Sequence, residues 1–194
     1  MENVLKRREM ILKAAQETFF RKSFYEATMD DIAKLSGIKK PTIYYYFSSK
    51  IDLASELLEI YIKKTFDKIN EIISTNKDIK KKIEMMINYY INLLEEDAKI
   101  FIVMERIFFD FMQKEESKNK INELFQKLKN KQKKTGKLLG EIKLVSGGKI
   151  SGELFLFSLI ASLGRVIFEN TSQGKNTKKD DLLSIGDIFT ASVE

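Results

Sequence analysis

Residues 39 to 50 gather hydrogen-bonding side chains of one kind. Lys39, Lys40, Thr42, Tyr44, Tyr45, Tyr46 and Lys50 stand around Pro41, Ile43 and Phe47. Ammonium groups and hydroxyls donate to phosphate oxygens and to base edges, which is binding chemistry. Covalent and acid–base chemistry is poorly served here. The chain has no cysteine and no histidine, which removes the thiol nucleophile, the thiolate metal site and the commonest general base and metal ligand.

Two short helices must position these donors. Thr28 caps the first, with Asp31 in the capping-box position three residues on. Ile32, Ala33 and Leu35 fall on or beside one face, and Ser36-Gly37 ends the helix, glycine suiting the left-handed conformation after a terminus. Pro41 fits the first turn of the second helix. Ile43 and Phe47, four residues apart, can pack back on Ile32, Ala33 and Ile38. Lys40, Thr42 and the three tyrosines are left over, and a surface helix so rich in tyrosine is costly unless it meets a partner. This is the pattern of a helix-turn-helix, which places one exposed helix in the DNA major groove.

With the upstream helix carrying Arg7, Arg8, Ile11, Leu12, Ala14, Ala15, Phe19 and Phe20, this stretch resembles the DNA-binding domain of the TetR family of bacterial repressors. The matching pieces are the Ile-Leu-x-Ala-Ala helix, Thr28, Ile32-Ala33, Gly37-Ile38, the Thr-Ile-Tyr-x-Tyr-Phe run at 42 to 47, and Lys50 with Leu53. The resemblance implies that Lys39, Lys40, Pro41, Thr42 and Tyr45 meet the DNA, the last four at base edges. It implies phosphate contacts for Thr28, Tyr44, Tyr46 and Lys50. Pro41 and the Thr42 methyl suit thymine methyls, and Lys40 can donate to guanine O6 or N7. Tyr44 and Tyr46 also fit half-buried places in a small helical core. The chain departs from the family where Ser23-Phe24 replaces the usual glycine after helix one. It departs again at Lys39 and Pro41, where a Ser or Thr cap and a small residue are usual. An operator sequence therefore does not carry over.

At 194 residues, with 43% hydrophobic and 32% charged residues, the chain can build a sizeable soluble core. One proline and long runs rich in Leu, Ile, Lys and Glu predict an all-α protein. The N-terminus is charged at once and does not read as a signal peptide. No apolar run reaches the roughly 20 residues a membrane span needs. A cytoplasmic protein is expected. The net charge of +6 supports DNA binding only weakly, since residues 114–149 hold +7 and residues 1–50 hold +4.

The periodicity predicts helices near 3–21, 48–73, 78–95, 97–113, 117–139, 151–171 and 178–192 besides the two short ones, with 140–150 as a loop. An N-terminal three-helix helix-turn-helix domain, 1–48, is expected to join through a long helix to a C-terminal helical ligand-binding and dimerisation domain, 49–194. The stretch 98–112 has almost no polar face, so it belongs in the middle of the protein. Together with its neighbours it can line a soft pocket of Met86, Tyr89, Tyr90, Phe101, Met104, Glu105, Phe108, Phe109, Met112 and Phe125. Plain core packing explains the same residues. A cavity-facing Glu105 or Asp110 would suit a cationic aromatic ligand, whereas an Arg106–Asp110 pair at a solvated edge would not.

Helix 151–171 carries a second apolar stripe, Leu154, Phe157, Ala161, Gly164 and Phe168, beyond the one its own core needs. With Leu182, Ile185, Ile188 and Phe189 of the last helix it predicts a symmetric four-helix dimer interface, which the resemblance also implies. The expected function is a homodimeric, sequence-specific regulator, a repressor released from a palindromic operator by a small apolar or cationic aromatic effector. It needs no cofactor, no metal and no membrane. Two alternatives are a non-specific DNA-compacting protein and an enzyme using Glu105 or Asp110. The second lacks any paired-carboxylate or phosphate-loop motif.

Overall fold

A computed structural model describes residues 2–112, 118–172, 175 and 177–194. Among them the chain runs α1 (Glu2–Arg21), α2 (Met29–Ser36), α3 (Lys40–Tyr46), α4 (Lys50–Ile73), α5 (Ile79–Met112), α6 (Lys118–Lys137), β1 (Glu141–Lys143), β2 (Lys149–Ser151), α7 (Gly152–Ser172) and α8 (Lys179–Ser192). The all-α expectation holds apart from one small hairpin. Among the described residues no helix is long and apolar enough to cross a membrane.

The chain forms two compact units. One holds residues up to Tyr61 together with Lys99–Phe125; the other holds Ile62–Ala98 with Gln126–Glu194. In the first unit α1 buries Ile11, Ala15 and Phe19 completely, one every four residues along a single stripe. Ile32 of α2, Ile43 of α3 and Leu53 of α4 complete the centre, and Val103, Ile107 and Leu124 join the same cluster. Arg8 of α1 pairs with Glu56 of α4 and lies 5.3 Å from the Phe47 ring centre, fastening three elements with one side chain.

In the second unit α4 buries Phe66, Ile69 and Ile73, α5 buries Ile83, Met86, Ile87 and Tyr90, and α7 buries Leu156, Leu159, Leu163 and Ile167. Each such side chain contributes about 1.5–3 kcal/mol. The backbones of α6 and α7 meet where both residues are glycine. A Cβ added at Gly136 would lie 2.4 Å from the Glu153 Cα, and one added at Gly152 would lie 2.4 Å from the Gly136 carbonyl oxygen.

Two expectations are corrected. Residues 79–112 form one helix, not two. A new helix was expected near Asp97, but Glu and Ala98 are good helix formers, and no glycine or proline interrupts 79–112. Residues 140–150 are not a plain loop. Glu141 pairs with Ser151, Ile142 with Ile150 and Lys143 with Lys149 in an antiparallel hairpin. Leu144 bridges onward to Val193. Three-residue strands are too short to show a period of two against their glycine-rich surroundings.

Candidate nucleic-acid interface

The helix-turn-helix is built from capped ends inward. The Thr28 hydroxyl accepts the Asp31 N–H at 3.1 Å while the Asp31 carboxylate accepts the Thr28 N–H at 3.0 Å, the reciprocal capping box expected of this pair. Lys22 adds an ion pair at 2.9 Å. The Lys22 ammonium, followed by the Thr28 hydroxyl and N–H, holds the Asp31 carboxyl down at about 2 against an ordinary 3.8. Gly37 closes α2 at φ 68°, where a Cβ would be strained. α3 then starts at Lys39 without a side-chain cap. Its first N–H groups are met by a backbone oxygen, Thr42 N donating to Lys39 O at 2.9 Å.

Within α3 only Ile43 is buried, and Phe47 just beyond it is also inside. These two anchors fix what the helix shows to solvent. Tyr45 is 83% exposed, Tyr44 and Pro41 are exposed, and Thr42, Lys40 and Tyr46 are half-buried. Tyr46 packs against the core cluster and meets Tyr45 edge-on at 5.4 Å. Lys39 is exposed. Lys40 does not point freely outward: its ammonium donates to Asp30 at 2.7 Å, which raises its pKa.

Two residues assigned to phosphates are engaged inside the chain. The Lys50 ammonium donates to the carbonyls of Phe24 at 2.5 Å and Ala27 at 2.6 Å and lies 4.5 Å from the Phe24 ring centre. Thr28, although exposed, gives its hydroxyl to the cap and to the Asp31 carboxylate. A lysine at this point in sequence reads as a DNA donor because nothing local reveals that a turn 25 residues earlier presents its carbonyls to it.

That turn, between α1 and α2, is also gripped from α5. Phe24 N donates to the Asp110 carboxylate at 2.8 Å and the Tyr25 hydroxyl donates to the Asp110 carbonyl at 2.6 Å. Asp110 is thus a clamp on the turn. The turn manages without the glycine usual in the family because Phe24 is buried, 5.7 Å from Phe19 between ring centres. Ser23 N and Oγ donate to Glu26 there.

In the second unit Met86 and Tyr90 are buried, and burial, with Tyr89 beside it, raises the Tyr90 phenol above its usual range. Among the described residues, the hydroxyl of half-buried Tyr89, Oγ1 of buried Thr65 and Oδ1 of half-buried Asn70 find no hydrogen-bond partner. The side chains of Phe101, Met104, Glu105, Phe108, Phe109, Met112, Phe125 and Phe168 lie outside the described residues. Of the expected dimer residues, Leu154 and Phe157 are 55% and 54% exposed. Ala161 is exposed, and Gly164 looks onto open space. Leu182 and Ile185 are instead buried in their own unit, and Phe189 packs edge-on against Phe155 at 5.4 Å. The apolar residues α8 exposes are Leu183 and, at 67%, Ile188. Of the α8 residues expected at the interface, Ile188 is on the exposed side and Leu182 and Ile185 are on the core side, because a short helix with apolar residues on two sides does not say which side the core takes.

Comparison with known proteins places this geometry. Residues 11–57 match the family described as bacterial regulatory proteins, tetR family. Among curated relatives, the transcriptional activator FasR of Mycolicibacterium smegmatis is 28% identical over 93 residues, 48% of this chain and 42% of that protein. The transcriptional regulator EthR of the same organism is 35% identical over 89 residues, 43% of this chain and 41% of that protein. The alignments thus span about half the length of the curated relatives or less. Among solved structures, the fatty acid degradation regulator FadR from Bacillus halodurans superposes with a TM-score of 0.74 at 20% identity, covering 95% of this chain and 94% of that one. FadR from Bacillus subtilis, solved in complex with stearoyl-CoA, gives 0.71 at 19%, covering 96% and 99%. At such identities the likeness is one of fold. The family match itself falls on residues 11–57, the segment that carries the helix-turn-helix.

Proposed function

We propose that the protein is a homodimeric, sequence-specific transcription repressor that leaves a palindromic operator when a small apolar effector binds. Residues 1–48 read DNA in this scheme, and 49–194 bind effector and partner. The observation that carries the reading is α3: one buried isoleucine inside, and Pro41, Thr42, Tyr44 and Tyr45 presented outward by a capped and clamped neighbourhood. Two such helices about 34 Å apart would meet successive major grooves. The exposed Leu154, Phe157 and Ile188 supply the apolar surface by which two copies would associate.

For the effector, the buried side chains of α4 and α5 are mostly aliphatic. The unpartnered Thr65, Asn70 and Tyr89 oxygens among them favour an apolar ligand carrying a hydrogen-bonding group. The stearoyl-CoA complex of a fold relative is of that chemistry. With Asp110 engaged at the α1–α2 turn, a cationic ligand loses one of its two expected carboxylates. Lowering DNA affinity 100-fold needs only about 2.7 kcal/mol of differential binding.

The test is selection of bound DNA from a random pool at about 0.15 M salt, the range in which specific and non-specific binding separate. A palindrome with half-sites one turn apart is the expected result. Recovery of no motif, with affinity simply fading as salt rises, would move the protein to DNA compaction.

A further inference from the structure

The ion pair between Asp30 and Lys40 joins the first turn of α2 to the first residue of α3. Its carboxylate is not needed to cap α2, because Asp31 already makes the capping box and pairs with Lys22. An acidic group on the face of a DNA reader is otherwise a liability, since it meets a polyanion. The distance is 2.7 Å, with both side chains open to solvent, and Asp30 is the first cause of the raised Lys40 pKa.

A lysine is a hydrated point charge on a flexible stem and will take any phosphate within reach. Reaching a phosphate means swinging away from Asp30 and leaving a bare carboxylate beside the duplex. An ammonium has three donors, however. Held by Asp30 through one of them, Lys40 can still give the others to guanine O6 and N7. We propose that Asp30 is a specificity-determining residue that keeps the Lys40 ammonium for a guanine edge and away from backbone phosphates. The inference rests on the DNA-reading function proposed above. Asp30 acts here through Lys40, as a positioning residue.

The experiment measures the affinity of the full chain for its selected duplex and for a scrambled duplex between 0.05 and 0.3 M salt (roughly the range over which counterion release is read). The proteins are wild type, Asp30→Ala, Lys40→Ala and the double variant, each checked for helix content. In Asp30→Ala, binding to the scrambled duplex is expected to tighten about 2- to 5-fold, the size of an exposed pair. The log–log salt slope is expected to steepen by about 0.9, one added phosphate contact, and preference for guanine at one position to weaken. In the Lys40→Ala background the Asp30 substitution should leave the slope unchanged. If instead it tightens both duplexes equally in both backgrounds, Asp30 is only a bulk negative charge and the inference fails. A wild-type protein that selects a motif, with a salt slope indifferent to Asp30→Ala, overturns this inference alone. A wild-type protein that selects no motif overturns the DNA-reading function and this inference together.

Discussion

The helix-turn-helix and the second compact unit use the same kinds of residue under different constraints. In α3 each position has one job: Ile43 anchors, its neighbours Thr42 and Tyr44 face outward or partly so, and seven residues leave no room for exchange. In the second unit α5 and α7 bury Ile83, Met86, Ile87, Leu156, Leu159 and Leu163, and such a core accepts many volume-conserving swaps. A surface that must meet a regular lattice of phosphates and bases is tied to spacing. A core is tied to volume. This is why sequence likeness to the family falls on residues 11–57, while the full chain shares its fold with solved relatives at only 20% identity.

Six substitutions would break or sharpen that contrast. The largest effect is expected on the core side of α8. Leu182→Ala should cost about 3 kcal/mol in urea unfolding. Ile188→Glu, on the opposite face, should leave the protomer folded and turn dimers into monomers by light scattering, and equal destabilisation by both would refute the assignment of faces. Next, Gly152→Ala should cost about 2–3 kcal/mol, because its Cβ would lie 2.4 Å from the Gly136 carbonyl oxygen and 2.5 Å from the Leu139 Cβ. Gly164→Ala, with open space around it, should be neutral or stabilising by up to about 1 kcal/mol from helix propensity.

In the first unit, Lys50→Met should cost about 2 kcal/mol by leaving the Phe24 and Ala27 carbonyls without their charged donor. It should leave the salt dependence of DNA binding unchanged; a slope shallower by about 0.9 would restore Lys50 to the phosphates. The smallest effect concerns Asp31. Its folded pKa, about 2, lies below the ordinary 3.8. The unfolded state therefore binds the proton more readily, and the cap's contribution is present above about pH 4 and lost as pH falls towards 2. The melting temperature of Asp31→Asn should vary less across that window than wild type, and parallel curves would sink the assignment.

Much of the first unit was legible in the sequence. Thr28 with Asp31, Gly37, Pro41 and the Ile43–Phe47 spacing act within a few residues of themselves, so reading them locally gave the right elements. The partners of Lys50 and Asp110 were not legible, because they lie at Phe24 to Ala27, far along the chain. Gly136 and Gly152 passed unnoticed because a glycine that permits close approach looks, in sequence, like any other. The hairpin at 141–151 was too short to leave a pattern, and α5 was divided near Asp97 although no glycine or proline interrupts it there.

The sequence by itself determined the helical class, the helix-turn-helix and the absence of histidine and cysteine chemistry, because capping, periodicity and composition are properties of neighbouring residues. Only the tertiary structure decided which face of α8 is core, that Lys50 and Asp110 hold the α1–α2 turn, and that Lys40 is paired with Asp30. Each of these depends on groups brought together from distant positions, and the partner of a charge is set by where the packed helices place it.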